Sequence, residues 1–398
     1  MIPIHEAFQI IDRQTQPLAA ENVGIDAAAG RVLAEDVRAD SDLPPFDRSQ
    51  MDGYAVRADD TADVPVKLKL VGESAAGSGW NGELGPGEAV RIMTGARLPN
   101  GADAVQKVEL TRETGDSVEI LEPTKRGRFL VARGQEVKDG DTVLEAGTRL
   151  TPKMVAPLAS FGYRNVSVSR RPRLNILATG SEIVEIAEKP GRDQIRNSNS
   201  SMLLALAAGF YETAASMPIA RDNITDLESG ISKAAANADV LVMTGGVSVG
   251  KYDLTKDVLR GLGAEIFFER VRLKPGKPTV FARLNDCLVF GLPGNPVSAA
   301  VSFYLFVRRA MLRMQNAAAV DLRRETAVCG GTVKGTKERD SYLPVILSTD
   351  SDGSLIAEPL RWHGSSDFIA FSLAEALVHV PPETRFEQGD TADIYRID

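Results

Sequence analysis

Cysteine and histidine are scarce in this chain of 398 residues, which contains two cysteines and three histidines. Cys287, Cys329, His5, His363 and His379 are also widely separated along the sequence. This scarcity excludes a disulfide framework and a zinc cage built from closely spaced ligands. So little cysteine fits a reducing compartment, and we expect the protein to be cytoplasmic.

Long apolar runs are absent as well. The longest clean runs, such as Leu174–Ala178 and Val240–Met243, have the length of strands, so no membrane partner is predicted. The first residues contain early acids and no basic region followed by a cleavage site, which predicts an amphipathic helix and not a signal peptide. The formal net charge of −8 has the wrong sign for a phosphate backbone, so nucleic-acid binding is disfavoured.

The composition, 43% hydrophobic and 25% charged, is that of an ordinary globular protein, and the length predicts two to four domains. Residues 1 to about 40 are predicted to be helical, because apolar residues recur there at face-like spacing. The apolar positions in question are Ile4, Phe8, Ile11, Val32, Leu33 and Val37. Short alternating runs then predict strands at Val66–Val71, Ala89–Ile92 and Ala104–Val108, and Thr151 is expected to cap a helix over Pro152–Phe161.

From residue 173 the pattern alternates between strand and helix, which predicts a mostly parallel sheet covered on both faces. The predicted strands are Leu174–Ala178, Asp239–Met243, Glu265–Phe268, Thr279–Ala282 and Leu288–Phe290. A helix near Asp226–Ala236 is expected to begin with a capping box of Thr225 and Glu228, stapled by Ile224. Another helix is expected from Asn295 or Pro296 to Met314, and strands at Leu343–Leu347 and Ala376–Val380 indicate a small C-terminal β domain.

The expected fold class is therefore multidomain α/β plus β. We predict an N-terminal helical and linker domain (residues 1–63 and 145–172), a β-rich domain (64–144), an α/β ligand-binding domain (173–320) and a small C-terminal domain resembling a β-barrel (321–398).

Three polar or glycine-rich loops each follow a predicted strand directly: Thr179–Glu182, Thr244–Asp253 and Gly291–Pro296. In an open α/β sheet, ligands bind outside the carboxyl ends of the strands, so we expect one shared crevice. The middle loop matches a phosphate-binding P-loop up to its last position, where Tyr252 replaces the hydroxyl residue that would hold Mg²⁺. It remains a turn suited to anions, and Asp253 is either a Mg²⁺ ligand or a helix cap, two compatible roles.

Lys274 and Lys277 flank a Pro-Gly pair just before a strand and are followed by Pro278. Two ammonium groups so placed either bind an oxyanion or are simply solvated. The prolines stiffen both sides of the turn, which favours a segment whose position must be held. Two other segments are ambiguous. Asp52 begins either a plain turn or a functional loop, and the segment over residues 93–101 is either functional or a hairpin connection.

Six strings occur in one order along the chain: Pro-Pro-Phe-Asp-Arg-Ser-Gln-Met-Asp-Gly-Tyr-Ala-Val at 44–56, Met-Thr-Gly-Ala at 93–96, Thr-Gly-Ser-Glu at 179–182, Gly-Gly-Val-Ser-Val-Gly with Asp at 245–253, Lys-Pro-Gly-Lys-Pro at 274–278 and Gly-Leu-Pro-Gly-Asn-Pro-Val-Ser at 291–298. Together they resemble the molybdopterin molybdenumtransferase family, which comprises the bacterial MoeA proteins and the related E domain of gephyrin. The resemblance covers essentially the whole chain.

This resemblance implies a homodimeric transferase that inserts molybdate into adenylylated molybdopterin, releases AMP with the help of Mg²⁺ and completes molybdenum cofactor biosynthesis. It implies catalytic roles for Asp52, Thr94, Glu182 and Asp253, with Asp253 and Glu182 as metal ligands. It implies that the substrates are bound by Gly245, Gly246, Ser248, Gly250, Lys274, Lys277, Pro293, Pro296, Ser298, Arg339 and Ser365, or by Ser366 in place of Ser365. A molybdopterin adenylyltransferase and molybdoenzymes are the further partners it suggests.

The sequence departs from the family pattern at two places. Lys251 stands where an acid is usual, and Leu343-Pro344 stands where many relatives have a second basic residue. Three alternatives stay open: the adenylyltransferase itself, which lacks counterparts of residues 1–170 and 321–398; a non-catalytic scaffold; and a nucleotide pyrophosphatase.

Overall fold

The computed structural model describes residues 1–246 and 254–397. The strands within these ranges are β1 (Ala20–Gly24), β2 (Val37–Arg38), β3 (Arg48–Ser49), β4 (Gly53–Val56), β5 (Val66–Ser74), β6 (Glu88–Ile92), β7 (Ala104–Lys107), β8 (Thr111–Thr114), β9 (Ser117–Ile120), β10 (Leu130–Val131), β11 (Thr142–Leu144), β12 (Asn165–Ser169), β13 (Leu174–Ala178), β14 (Ile183–Val184), β15 (Ile195–Arg196), β16 (Ala214–Ser216), β17 (Val240–Thr244), β18 (Glu265–Phe268), β19 (Leu273–Lys274), β20 (Val280–Leu284), β21 (Cys287–Leu292), β22 (Arg324–Cys329), β23 (Val333–Lys334), β24 (Asp340–Thr349), β25 (Leu355–Pro359), β26 (Ala376–Val380), β27 (Arg385–Phe386) and β28 (Thr391–Arg396). The α-helices are α1 (Ile4–Gln14), α2 (Val155–Ser160), α3 (Ser198–Leu206), α4 (Ile224–Ala235), α5 (Leu254–Gly261), α6 (Pro296–Ser302), α7 (Arg308–Met314) and α8 (Phe368–Phe371).

The described chain forms two compact units. The first comprises Met1–Glu35, Ala146–Pro152 and the residues from Asn165 onward, and the second comprises Asp36–Glu145 and Lys153–Arg164. The second unit contains a six-stranded sheet in the order β7-β4-β6-β5-β9-β8. Apolar residues pack on both faces of that sheet, so it is the framework of the second unit.

A six-stranded sheet in the order β16-β13-β17-β21-β20-β18 is the centre of the first unit. The first four strands are parallel, and β20 runs antiparallel to both of its neighbours, β21 and β18, which confirms the mostly parallel sheet. Alternate residues of β17 enter two different hydrophobic clusters, one shared with α1, α3 and α6 and the other with α4 and α5. Because both faces are covered, every residue of β17 is buried, and all of them except Thr244 are apolar.

The C-terminal strands close into a barrel, as expected. The hydrogen-bonded order is β24-β25-β22-β28-β26, and β26 pairs again with β24. Strand β19 of the preceding segment pairs with the start of β24, with Leu273 opposite Asp340 and Lys274 opposite Ser341. Tyr342 and Leu377 of the barrel belong to the same hydrophobic cluster as the α/β sheet.

The prediction of helix up to about residue 40 is wrong. Helix α1 ends at Gln14, and Thr15 closes it by donating its hydroxyl to the carbonyl of Ile11. Pro17 cannot continue a helix, and β1 follows. Val32 and Leu33 instead form isolated β-bridges, and Val37 starts β2.

The predicted start of α4 is also wrong in detail. The cap is Asn223, whose side chain accepts a hydrogen bond from the backbone N–H of Asp226 at 2.9 Å, and not Thr225. Ile224 is 54% exposed, so it does not staple the turn. The long helix from Pro296 to Met314 is confirmed, with a π-helical segment at Phe303–Val307 between α6 and α7. Among the helices of residues 1–246 and 254–397, none has the length and apolar character that a membrane crossing requires.

Candidate functional site

A cleft of about 1430 Å³ opens in the first unit where β13, β17 and β21 end. These three strands are neighbours in the sheet and parallel, so the loops that follow them lie side by side. In the described part of the chain, the prediction that the three loops share one crevice is confirmed. The predicted site residues on its wall are Glu182, Gly245, Gly246, Lys274, Lys277, Pro293, Pro296, Ser298, Arg339, Ser365 and Ser366.

Asn199, in the first turn of α3, ties the cleft loops together. Its side-chain amide donates to the hydroxyl of Thr244 at 2.7 Å and to the carbonyl of Gly294 at 2.8 Å. The other side-chain atom of Asn199, Oδ1, is buried without a partner in the part of the chain that the structure describes. The end of β17 and the loop after β21 are therefore held at a fixed separation by one side chain.

Gly245 and Gly246 make the turn after β17 and have φ angles of 93° and 63°. A Cβ on Gly245 would lie 2.2 Å from the carbonyl oxygen of Thr179, and one on Gly246 would lie 2.5 Å from the hydroxyl of Thr255. Both positions therefore require glycine, on conformational and on steric grounds. The hydroxyls of Thr179 and Thr255 are buried and have no hydrogen-bond partner within the described ranges.

Five residues that the sequence analysis singled out in this loop, Ser248, Gly250, Lys251, Tyr252 and Asp253, lie outside the described residues. The roles of Ser248, Gly250 and Asp253, including Asp253 as a metal ligand, stay predictions.

The segment that carries Lys274 and Lys277 is held from several sides. The backbone N–H of Val271 donates to the carbonyl of Lys277 at 3.0 Å, and the buried hydroxyl of Thr279 donates to the carbonyl of Gly276 at 2.7 Å. Gly276 has a φ of 120° and packs against Ser302. Lys274 is half-buried and Lys277 exposed, and both line the cleft. This is the ordered backbone that an anion-gripping pair needs.

Arg339 reaches the same cleft through the pairing of β19 with β24. Its guanidinium donates to the carbonyl of Leu273 at 3.4 Å, next to Lys274. Three cations from two distant chain segments thus line one cleft. Pro344, the fifth residue of β24, lies opposite Leu377 of β26 and is not on the cleft wall.

The N-terminus of α6 is the third element of the cleft. Pro296 occupies its first turn, and Ser298 is 4% exposed on the cleft wall. The backbone N–H of Val297 donates to the carbonyl of Ser365 at 3.1 Å, and the Asn295 amide donates to the Ser365 hydroxyl at 2.8 Å. The Ser365 side chain therefore helps to hold this helix start, while Ser366 is exposed beside it. A helix N-terminus favours anions.

Glu182 brings one carboxylate to the cleft. It lies against Gly180, where a Cβ would be 2.7 Å from a carboxylate oxygen of Glu182. No group of three or more potential metal-ligating side chains occurs within the described ranges. The donor set still fits Mg²⁺, because that ion uses one or two protein carboxylates together with substrate phosphates and waters.

Asp52 and Thr94 meet in the second unit, as the start of β4 and the end of β6 are hydrogen-bonded neighbours. Asp52 accepts from the backbone N–H of Thr94 at 2.6 Å and from its hydroxyl at 2.8 Å. The hydrogen bond from the Thr94 backbone, and then that from its hydroxyl, hold the pKa of Asp52 below its usual value. Asp52 is therefore an anion whose side chain orients Thr94.

Three family models cover most of the chain. They are the MoeA N-terminal region (domains I and II) at residues 2–162, a probable molybdopterin binding domain at 175–313 and the MoeA C-terminal region (domain IV) at 326–397. A molybdopterin molybdenumtransferase of Bacillus subtilis (strain 168) is 36% identical over 412 aligned positions, which cover 100% of this chain and 94% of the relative. The chain belongs to the MoeA family.

Other MoeA family relatives agree. A molybdopterin molybdenumtransferase of Staphylococcus aureus (strain COL) is 34% identical and covers 99% of this chain and 95% of its own length. Two crystal structures of molybdopterin biosynthesis MoeA protein from Pyrococcus horikoshii match with TM-scores of 0.81 and 0.87, at 32% and 29% identity. Each covers 100% of this chain, and 99% and 100% of the solved chain.

Sequence reasoning missed several residues that shape the cleft of this MoeA family member. Asn199 is a polar residue of α3, and its residue type alone gives no sign that it cross-links two loops. Arg196, at the end of β15, and Trp362 also line the cleft. A polar run between a strand and a helix, as in Asn197 to Ser200, is the one signal that could have drawn attention to Asn199.

Proposed function

We propose that this MoeA family member is a molybdopterin molybdenumtransferase: it inserts molybdate into adenylylated molybdopterin and releases AMP, the last step of molybdenum cofactor biosynthesis. One observation carries the proposal. A single cleft gathers Lys274, Lys277 and Arg339 beside glycine turns and a helix N-terminus. The full-length relatives named for this activity support it.

Charge neutralisation is what this reaction requires from the protein. Molybdate and the phosphates of the adenylylated pterin are both anions and repel each other when they are brought into one cleft. We assign Lys274, Lys277, Arg339 and Ser298 to molybdate, with Ser365 or Ser366 at its edge. The turn at Gly245 and Gly246 and the loop at Pro293 and Pro296 are assigned to the pterin and its pyrophosphate, with Ser248 and Gly250.

Glu182 and Asp253 would hold Mg²⁺. When bound, the ion neutralises the phosphates and polarises the bond that is broken on AMP release. The Glu182 carboxylate already lines the cleft, so that a metal there would need only the phosphates, waters and Asp253 to complete its ligands.

We further infer a homodimer in the cytoplasm. In this proposal Asp52 and Thr94 serve the cleft of the partner subunit, and the product passes to molybdoenzymes, with a molybdopterin adenylyltransferase as supplier of the substrate. Cys287 and Cys329 are buried free thiols, which supports a reducing compartment.

The decisive experiment measures AMP release from adenylylated molybdopterin with Mg²⁺, with and without molybdate, together with active cofactor formed. The proposal predicts release that requires molybdate and yields cofactor. Release that ignores molybdate would indicate a hydrolase. Tight binding without turnover would indicate a scaffold.

A further inference from the structure

A second group of cations lies in the first unit, and none of its members lines the cleft. It consists of Arg31, Arg149, Arg171 and Arg308, which we call the arginine cluster. Arg308 belongs to α7, and the other three lie in or beside the segments around β1 and β12. The fold therefore brings together four guanidinium groups that are distant in sequence.

Two members of the arginine cluster converge on the backbone of Gly30. Arg149 donates from Nε to the carbonyl of Gly30 at 3.4 Å. Arg171 places Nη2 at 3.2 Å from where a Cβ on Gly30 would lie. Gly30 has a φ of 80°, and the absence of a side chain there leaves room for the guanidinium of Arg171.

Phe210 supports the cluster from another side. The guanidinium carbons of Arg149 and Arg308 lie 4.6 Å and 5.6 Å from the centre of its ring. A cation over an aromatic face is held in place, but its charge is not neutralised. Phe210 therefore orders these two arginines without acting as their counter-ion.

Carboxylates neutralise the positive charge of the arginine cluster only in part. Arg31 pairs with Glu21 and donates to the carbonyl of Ser169 at 3.0 Å. Within residues 1–246 and 254–397, neither Arg149 nor Arg171 forms an ion pair, and the Nε atoms of Arg31 and Arg171 are buried without a hydrogen-bond partner.

The neighbouring Asp321 carboxylate compensates Arg308 only in part, since its charge is shared with another arginine. It is ion-paired with Arg309 at 2.5 Å, and Arg308 donates to the Val320 carbonyl at 2.8 Å. The cluster therefore keeps an excess of positive charge.

The directions of the pKa shifts agree with this excess of positive charge. Burial lowers the pKa of Arg171, and the charges of Arg31 and Arg149 lower it further, against a smaller opposing effect of Glu21. Burial, followed by the charge of Arg149, lowers the pKa of Arg308, and the opposing charge of Asp321 does not reverse this shift. Repulsion between these like charges is therefore unfavourable in the folded protein, and a bound anion would relieve it.

We propose that the arginine cluster binds a tetrahedral dianion of the phosphate class, as inorganic phosphate or as the phosphoryl group of a small metabolite. Guanidinium groups offer paired N–H donors that match two oxygens of such an anion, and several of these donors are unused here. Arg171 and Arg149 would be the main contacts, and Arg31 and Arg308 would add charge. This inference does not depend on the proposed transferase activity.

The test uses isothermal titration calorimetry of the full chain with inorganic phosphate, at an ionic strength kept constant with chloride. We expect wild type to bind phosphate, and Arg171→Gln to bind it at least about tenfold more weakly, the effect of losing a charge-assisted hydrogen bond. Arg13→Gln, which removes an exposed arginine of α1, is the matched control and should bind like wild type. Thermal unfolding should show a phosphate-dependent rise in Tm that Arg171→Gln lacks.

Arg149→Gln is a second variant in case Arg171→Gln fails to fold, and it should weaken binding in the same way. Titration with ribose 5-phosphate separates the two sources: binding tighter than that of phosphate, and equally dependent on Arg171, identifies a phosphoryl group of a metabolite. No binding of either compound by wild type at about 10 mM would overturn the proposal. It would also be overturned if Arg171→Gln weakened only self-association in sedimentation, which would identify a carboxylate of a second copy as the true partner.

Discussion

Asp239 directly precedes β17, and Thr244 is the last residue of that strand. The two ends of β17 therefore carry different chemistry. Thr244 lines the cleft, whereas Asp239 lies at the opposite end and accepts hydrogen bonds from Arg170 and Arg173 at 2.7–3.2 Å. Asp239 thus holds the beginnings of β13 and β17 together, at the end of these strands that lies away from the cleft. A residue that serves only the sheet should affect stability and leave binding unchanged.

Replacing Asp239 by Asn tests this role. Burial raises the pKa of Asp239, but hydrogen bonds from Arg170 and Arg173 outweigh it and lower the pKa to about 2. The folded-state pKa is thus below that of the unfolded chain, so the stabilisation is complete above about pH 4 and is lost as the pH falls towards 2. We expect Asp239→Asn to lower the free energy of unfolding by about 1–2 kcal/mol at pH 7 in urea titrations.

The control for this variant is Asp257→Asn, because Asp257 is 77% exposed in its pair with Arg260 and should contribute little. A loss of stability in Asp239→Asn that is equally large at pH 2 and pH 7 would show that the carboxylate charge is not the cause.

Lys277 tests the division of roles within the cleft. If Lys277 binds molybdate, Lys277→Gln should raise the molybdate concentration for half-maximal AMP release by about tenfold, because one charge-assisted contact is lost. Binding of the adenylylated pterin, measured by calorimetry, should change much less. Lys337→Gln removes an exposed lysine outside the cleft and should behave as wild type. Equal losses for molybdate and pterin would contradict the assignment.

At the level of elements, the turn after β17 decides whether the cleft can form. Gly245→Ala forces a Cβ to within 2.2 Å of the Thr179 carbonyl oxygen at a φ of 93°. We expect the turn to move and binding of the adenylylated pterin to fall by more than about tenfold, with a loss of stability of about 2 kcal/mol.

Gly261→Ala is the matched substitution, because Gly261 ends α5 and a Cβ there meets nothing within 4 Å. It should be neutral or slightly stabilising in thermal unfolding, and it should bind the pterin as wild type does. Wild-type affinity in Gly245→Ala would show that this turn does not shape the pterin site.

Strands and loops of the α/β part could be predicted from sequence because their signals are local. Short, mostly apolar runs mark β13 and β18, and the bounds of both strands agree with the prediction. The helix prediction for the segment after Gln14 is wrong for a physical reason. Val32, Leu33 and Val37 are apolar because they pair in β-bridges and short strands, and their spacing only imitates a helix face. Periodicity cannot separate these cases without the partner strands.

The candidate site, too, could be predicted from the sequence only in part. Loops that follow strands could be located, since topology alone places them at one edge of the sheet. The bonds of Asn199 to Thr244 and Gly294 could not, because they join residues 45 and 95 positions apart. The proximity of Arg339 to Lys274 likewise depends on the pairing of β19 with β24, and no local pattern signals that pairing.

At the scale of the molecule, the C-terminal barrel and the α/β sheet act as one body within the first unit. They share Tyr342 and Leu377 in one hydrophobic cluster, and β19 is a strand of the barrel sheet although its chain segment belongs to the α/β part. The position of Arg339 is therefore set by the packing of two domains. Asp52 and Thr94, in the second unit, are expected to act on a partner subunit, a role that rests on the family pattern.

Mixing two impaired variants tests that subunit arrangement, with AMP release assayed at a molybdate concentration far below that for half-maximal release by wild type, where Lys277→Gln is most impaired. Asp52→Asn and Lys277→Gln should each impair AMP release as homodimers. If each site takes Asp52 from one subunit and Lys277 from the other, half of the sites in a heterodimer keep both residues. Unfolding and refolding the two variants together should then restore about a quarter of wild-type activity, because random pairing makes half of the dimers mixed. If both residues act within one subunit, every site carries a defect and mixing restores nothing, which would contradict the shared site.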